Sequence, residues 1–270
     1  MAGVLMKYSE MIKDMEFYQS IGLPYRMERS GHSVAMYVNG VKYYASSVNG
    51  NKGDMLPFDQ VKFISKVKRY ILKNNLVKKI KRNYRSLKQI TYMAVNPEVT
   101  VGEVFDTAYS VDISGAYWAS AYKEGWLSEE LYHEGLTMDK RIRLASLGTF
   151  AKRVYQYEFD GKTEKMKNVT VPPHPHVFFN QAHTIHTIMT ACMAISSVEF
   201  LFYWTDGIYL STYEGAKRCE QILEDAGYRY LTTKLVRIIR TNSGFTVEEK
   251  TKKHGKRSIN KKEYKTNFIE

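Results

Sequence analysis

Apolar positions recur at two different periods along this chain. Over 33–46 they alternate around Asn39-Gly40, a strong two-residue turn signal, which predicts an N-terminal β-hairpin. Val61, Ile64, Val67 and Ile71 then return at helical spacing, with Lys62, Lys66, Arg69 and Lys73 on a separate row. After Asn74-Asn75 the pattern resumes, with Leu76, Ile80, Tyr84 and Leu87 on the apolar side and Lys78, Lys81, Arg82, Arg85 and Lys88 outside it. Two basic amphipathic helices are therefore expected. Residues 89–95 and 107–113 read as strands, the second carrying Asp112 at its end, and 117–123 and 128–133 read as short helices. A longer helix is expected over 138–157, closed by Asp160-Gly161. Pro172-Pro173-His174-Pro175 makes a rigid connector, after which Ile185, Ile188, Cys192 and Ile195 form the buried stripe of another helix. Two strands, 198–203 and 208–212, flank Thr205-Asp206-Gly207 with Asp206 at the tip of the turn. A helix over 213–226 stops at Gly227, and a last hairpin, 228–240 with 245–250, turns at Asn242-Ser243-Gly244.

Composition narrows the class. The 270 residues are 44% hydrophobic and 13% aromatic, enough for a globular core of one large or two small domains. The best candidate for a membrane span, 178–195, is interrupted by His183, His186 and several threonines, and the N-terminus lacks the basic and apolar regions of a secretory signal. Cytoplasmic residence is the expectation. Two cysteines exclude a disulfide framework and a four-cysteine zinc site, and His174, His176, His183 and His186 fit no common zinc spacing. The net charge of +12 is unevenly placed: no Asp or Glu occurs over 60–97, and Lys250, Lys252, Lys253, Lys256, Arg257, Lys261, Lys262 and Lys265 form a basic tail. Such runs are often only solvated faces, but two without compensating acids favour a polyanionic partner whose phosphates release counterions.

Three short segments carry the candidate chemistry: Asp112-Ile113-Ser114-Gly115-Ala116-Tyr117, then Lys140 to Gly148, then Tyr203-Trp204-Thr205-Asp206-Gly207. The first and third each set a carboxylate at the end of an apolar, β-prone run, which is how aspartates from two strands converge on divalent cations for phosphoryl transfer. Each aspartate also has an ordinary use, Asp112 as a helix N-cap and Asp206 as a hairpin-turn residue.

In order and context the three segments resemble family B DNA polymerases. The first is similar to the family's first polymerase motif, the last to Tyr-x-Asp-Thr-Asp with Asp206 as its second aspartate, and Arg141-Ile142-Arg143-Leu144-Ala145-Ser146-Leu147-Gly148 to the fingers helix motif, a Lys followed by Asn-Ser-x-Tyr-Gly. The resemblance implies that Asp112 and Asp206 are catalytic and hold two Mg²⁺ ions, with Mn²⁺ an allowed substitute, and that the Ile113 carbonyl completes the ligand set. It implies that the amides of Ser114, Gly115, Ala116 and Tyr117 face the triphosphate, that Tyr117 excludes a 2′-hydroxyl, and that Arg141, with Lys140 beside it and Ala145 one turn on, lines the nucleotide site. Trp204 replaces the motif's first aspartate, Ala145 its Asn and Gly148 its Tyr.

The fold class this implies is α+β, a polymerase palm-like antiparallel sheet with helices on one face, a short helical fingers excursion and a reduced thumb. Residues 1–100 would be the N-terminal hairpin and basic helices, 101–215 the palm with a fingers insertion at about 123–160, and 216–270 the palm end, reduced thumb and basic tail. The implied partners are a DNA primer-template and deoxynucleoside triphosphates, with an accessory or priming protein allowed and no membrane. Lys62, Lys66, Arg69, Lys73, Lys78, Lys81, Arg85, Lys252, Lys253, Lys256 and Arg257 are the expected nucleic-acid contacts. A proofreading domain does not fit, which points to a compact polymerase of phage, plasmid or mobile-element type, working in the host cytoplasm if viral. The competing readings are a catalytically weak or inactive polymerase-like nucleic-acid-binding protein and a metal-dependent nuclease.

Overall fold

The computed structural model describes residues 4–30, 33–46, 58–78, 92–253 and 256–266. The chain is α+β, with seven α-helices and thirteen strands among those residues. It gathers into two units that interleave in sequence, Met1–Lys81 with His133–Phe178 and Arg82–Tyr132 with Phe179–Glu270, where the sequence reading divided it into consecutive segments. No helix among the described residues is long and apolar enough to cross a membrane.

The first unit holds a six-stranded sheet ordered β1-β4-β3-β2-β7-β8, from β1 (Val4–Leu5), β2 (Tyr25–Ser30), β3 (Ser33–Val38), β4 (Val41–Ser46), β7 (Val154–Phe159) and β8 (Glu164–Thr170). β3 and β4 form the expected hairpin, and Asn39 and Gly40 take the positive φ values of 49° and 77° that its two-residue turn requires. Helix α1 (Tyr8–Ser20) buries Met11 and Met15 with Met27, Val34, Met36 and Phe159 of the sheet. Helix α2 (Phe58–Lys73) buries Phe63, Val67 and Ile71, whereas Val61 is 45% exposed. The apolar stripe thus turns toward the larger Phe63, which removes more apolar surface from water than Val61 could. A short 3₁₀ turn, Leu76–Lys78, follows; the rest of the second basic helix, with Lys81 and Arg85, lies outside the described residues.

One expected element is corrected here. The helix expected over 138–157 is α5, only Lys140–Gly148, capped by Asp139 and packed against α2. Val154, Tyr155, Tyr157 and Phe159 instead form β7, between β2 and β8, because β-branched and aromatic side chains gain more on a pleated surface with neighbours on both sides than in a solvated helix. Asp160-Gly161 closes the β7–β8 hairpin, with Asp160 Oδ1 accepting from the amides of Lys162 and Thr163 at 2.9 Å each.

The second unit is built on an antiparallel sheet ordered β13-β12-β11-β6-β10-β9-β5, comprising β5 (Met93–Val95), β6 (Val104–Ile113), β9 (Phe200–Trp204), β10 (Gly207–Leu210), β11 (Tyr230–Thr241), β12 (Gly244–Lys253) and β13 (Lys256–Lys265). Its helices are α3 (Ala116–Lys123), the start of α4 (Glu129–Leu136), most of α6 (His176–Ile195) and α7 (Tyr213–Asp225). Val111, Ile113, Ile208 and Leu210 meet Ile185, Met189 and Cys192 of α6 and Ala216, Cys219 and Leu223 of α7. The other apolar layer, Ala108, Phe202, Tyr209, Leu235, Ile238, Phe245 and Val247, comes from the strands alone. The basic tail is an element of the sheet: it is the end of β12 and the whole of β13, paired from Gly244↔Lys265 to Lys253↔Lys256.

Phe202 is fully buried, its ring stacked on Tyr209 and on Phe245 at 4.2 Å each. Phe202→Ala is expected to lower the unfolding free energy by about 3–5 kcal/mol in urea titrations, and a cost below about 1 kcal/mol would mean that this aromatic layer does not hold the sheet together.

Candidate functional site

The site is a consequence of strand register. β10 lies antiparallel beside β6 with Gly207 opposite Asp112 and Ile208 opposite Val111. Alternation sends Val111, Ile113 and Ile208 to the helix-covered side, so Asp112 projects from the other face. The Ile113 amide donates to the Asp206 carbonyl at 3.0 Å, which sets Asp206, in the turn before β10, beside Ile113 and next in sequence to the residue opposite Asp112. A Cβ at position 207 would stand 2.3 Å from Asp112 Oδ1, so the carboxylate lies directly against the glycine. The turn is held by Thr205 at φ 52°, whose amide donates to the Tyr92 carbonyl at 2.9 Å and whose hydroxyl donates to Asp206 Oδ1 at 2.8 Å.

Both carboxylates act electrically on their surroundings. Burial, then the charge of Asp206, raises the pKa of the Tyr117 phenol. Burial, then the charge of Asp112, does the same to Tyr209, whose hydroxyl meets that of Tyr264 at 2.6 Å. Burial works against the Lys262 ammonium, but its 3.0 Å ion pair with Glu249, aided by Tyr264 and Asp112, raises its pKa overall. Tyr209 and Lys262 thus feel Asp112 directly, with Tyr264 and Glu249 bonded to them, and the sequence reading missed all four as site residues. The available signal was Lys262-Glu263-Tyr264 as an alternating strand, obscured by treating the segment as a tail.

Helix α3 opens at Gly115, its N-cap, with φ 61° and ψ 40°, which rules out Asp112 as that helix's cap. The Ser114 amide donates to the Arg229 carbonyl at 2.8 Å. Ser114 therefore leaves the expected amide cradle, which begins at Gly115. Among the described residues no three His, Cys, Asp or Glu gather as a metal-binding group. The set implied by the resemblance, two aspartates and the Ile113 carbonyl, is all oxygen, the donor chemistry that Mg²⁺ and Mn²⁺ take.

Behind the turn, His186 Nδ1 and the Tyr203 hydroxyl are hydrogen-bonded at 2.6 Å, and the ring of Tyr92 meets His186 edge-on. Burial lowers the pKa of His186 and pushes Tyr203 up to about 12, while burial and then Tyr117 push Tyr92 up to about 12. Trp118 and Trp126 are both 2% exposed and belong to the core.

In the first unit, Lys140, Arg141 and Ala145 lie on the exposed side of α5, while Ile142, Ser146 and Leu147 are buried. Arg141 Nε donates to Asp139 Oδ1 at 3.0 Å, and this pairing lowers the Asp139 pKa. Lys62, Lys66, Arg69, Lys73 and Lys78 are exposed, and Lys66 is paired with Glu134 at 2.6 Å. The backbones of Lys252, Lys253, Lys256 and Arg257 belong to β12 and β13. No protein-family model matches the chain, and no curated protein matches it.

Two predictions follow from this geometry. Gly207→Ala is expected to cost about 1–3 kcal/mol of stability through overlap with Asp112, and to cost much less in an Asp112→Ala background; equal costs in both, measured by a double-mutant cycle, would refute the contact. His186 is held neutral by burial, so protonation favours the unfolded chain, and stability should fall as pH drops below the ordinary value of 6.5. His186→Gln is expected to flatten part of that decline in urea midpoints compared between pH 8 and pH 5.

Proposed function

We propose that the chain is a template-directed DNA polymerase of the compact, proofreading-free kind, acting in the cytoplasm, with the second unit's sheet as its palm. The observation that carries the reading is the pairing of Asp112 with Gly207, one residue from Asp206. The reaction joins the 3′-oxygen of a DNA primer to the α-phosphorus of a deoxynucleoside triphosphate, and pyrophosphate leaves as the hydroxyl proton is lost. When bound, two Mg²⁺ ions would supply counter-charge to the triphosphate and lower the cost of forming the attacking alkoxide. Asp112 and Asp206, with the Ile113 carbonyl, are the residues that would hold them. Gly115, Ala116 and Tyr117 open a helix whose first-turn amides favour an anion, and the family resemblance assigns Tyr117 to the sugar side. On the first unit, the exposed row Lys62, Arg69 and Lys73 offers cations to a nucleic-acid backbone.

One observation favours a second reading, a polymerase-like protein that binds nucleic acid with little or no catalysis. Trp204 stands where the family has its first aspartate, and its ring meets Tyr264 edge-on with centroids 5.8 Å apart.

Extension of a labelled primer-template with magnesium and deoxynucleotides separates the two. The intact chain is expected to extend the primer, and Asp206→Asn to slow extension at least ~10³-fold, since losing a cation site removes several kcal/mol of transition-state stabilisation. Extension unchanged in the variant would overturn the site. No extension by either protein, with salt-sensitive DNA binding retained, would establish the second reading, and degradation of DNA without added nucleotides would indicate a nuclease.

A further inference from the structure

β12 leaves its neighbour early. Its pairing with β11 runs from Thr241↔Gly244 to Arg237↔Glu248. From Glu249 to Lys253, and from Lys256 to Asn260, the two last strands pair only with each other among the described residues. Five residue pairs at a strand's rise make a free ribbon about 16 Å long.

At its base the ribbon is well tied. Glu249 accepts from Asn260 Nδ2 at 2.9 Å and pairs with Lys262 at 3.0 Å, and the hydroxyls of Thr251 and Ser258 meet at 2.9 Å. Toward the tip the sequence works against the fold. Lys252 stands opposite Arg257 and Lys253 opposite Lys256. Like charges directly opposite across a ladder are destabilising, and an isolated two-stranded ribbon is marginal to begin with. No Asp or Glu occurs over 250–262 to offset them. An anionic partner that interleaves with these cations removes the repulsion, and the ribbon's form selects among such partners. The major groove of duplex DNA is about 12 Å wide and 8.5 Å deep, dimensions that admit a two-stranded β-ribbon flanked by phosphates on both sides.

We infer that the β12–β13 ribbon is a duplex-binding arm, its two strands entering the groove of double-stranded DNA and its run of basic positions over 250–262 supplying the charge that meets the phosphates. This rests on the polymerase reading only for its role, gripping the primer-template in place of a larger thumb.

The test is Lys252→Glu combined with Lys256→Glu, which puts a carboxylate opposite Arg257 and another opposite Lys253. The ribbon's own pairing improves, so the melting temperature is expected to hold or rise while duplex binding falls. In fluorescence anisotropy at fixed salt, affinity for a short duplex should drop at least tenfold, and the slope of log affinity against log salt should shrink by about two to four. Affinity for a single strand of the same length should drop less. Equal losses for duplex and single strand overturn groove insertion, as does unchanged duplex affinity. Binding of anionic vesicles and not of duplex by the intact chain overturns it in favour of a membrane surface. Lys252→Gln with Lys256→Gln repeats the measurement without added acids, and if the first variant unfolds, this one decides. Primer extension by the intact chain is scored separately: a chain that extends nothing yet loses duplex binding in the variants keeps the arm and loses the polymerase reading.

Discussion

The antiparallel register of β6 against β10 is the constraint on which the second unit depends. Val111, Ile113, Ile208 and Leu210 must all reach the helix-covered side at once, and that requirement alone sends Asp112 to the open face. Because side chains alternate with period two, a slip of one residue would bury the carboxylate among Ile185, Met189 and Cys192, at a cost no folded chain of ordinary stability could carry. Core packing and the placement of the acid are therefore one decision. Gly207 completes it, because the residue opposite the acid has no side chain to displace it.

Charge around the two carboxylates follows the register too. Asp112 acts on the Tyr209 phenol and the Lys262 ammonium, itself paired with Glu249, while Asp206, beside Ile113, acts on Tyr117 and accepts from the hydroxyl of Thr205. Burial and the neighbouring carboxylate hold the Tyr117 and Tyr209 phenols neutral, so they add no negative charge beside the acids.

Much of this was legible from local pattern. The 33–46 hairpin followed from Asn39-Gly40, the Thr205-Asp206-Gly207 turn from apolar strands on both sides, and the burial of Cys192 from the helical stripe it sits in. Where the reading failed, the deciding partner was distant in sequence. Nothing near 154–159 announces that β2 lies waiting more than a hundred residues earlier, so a stretch of mixed periodicity was extended as helix. The basic segment 256–265 looked like a solvated tail because its alternation is masked by lysines, and only its partner β12 makes it a strand. Lys262 and Tyr264 were overlooked beside Asp112 for that reason. The cradle amide of Ser114 was misjudged for a similar one, its acceptor being the backbone of Arg229 far along the chain.

The interleaving of the two units bears on how the chain is made. During synthesis the strands β1 to β4 and helix α2 emerge first, yet their sheet lacks β7 and β8 until residues beyond 170 appear. By then β6 has been exposed without either neighbour, because β10 and β11 are later still. The nascent chain must hold two incomplete sheets at once, each with an apolar edge open to the wrong strand, and the first unit can close before the second. Ribosome pausing or a chaperone acting between roughly residues 113 and 207 would bear most heavily on the yield of native protein, and neither unit can be cut out as one continuous piece for separate study.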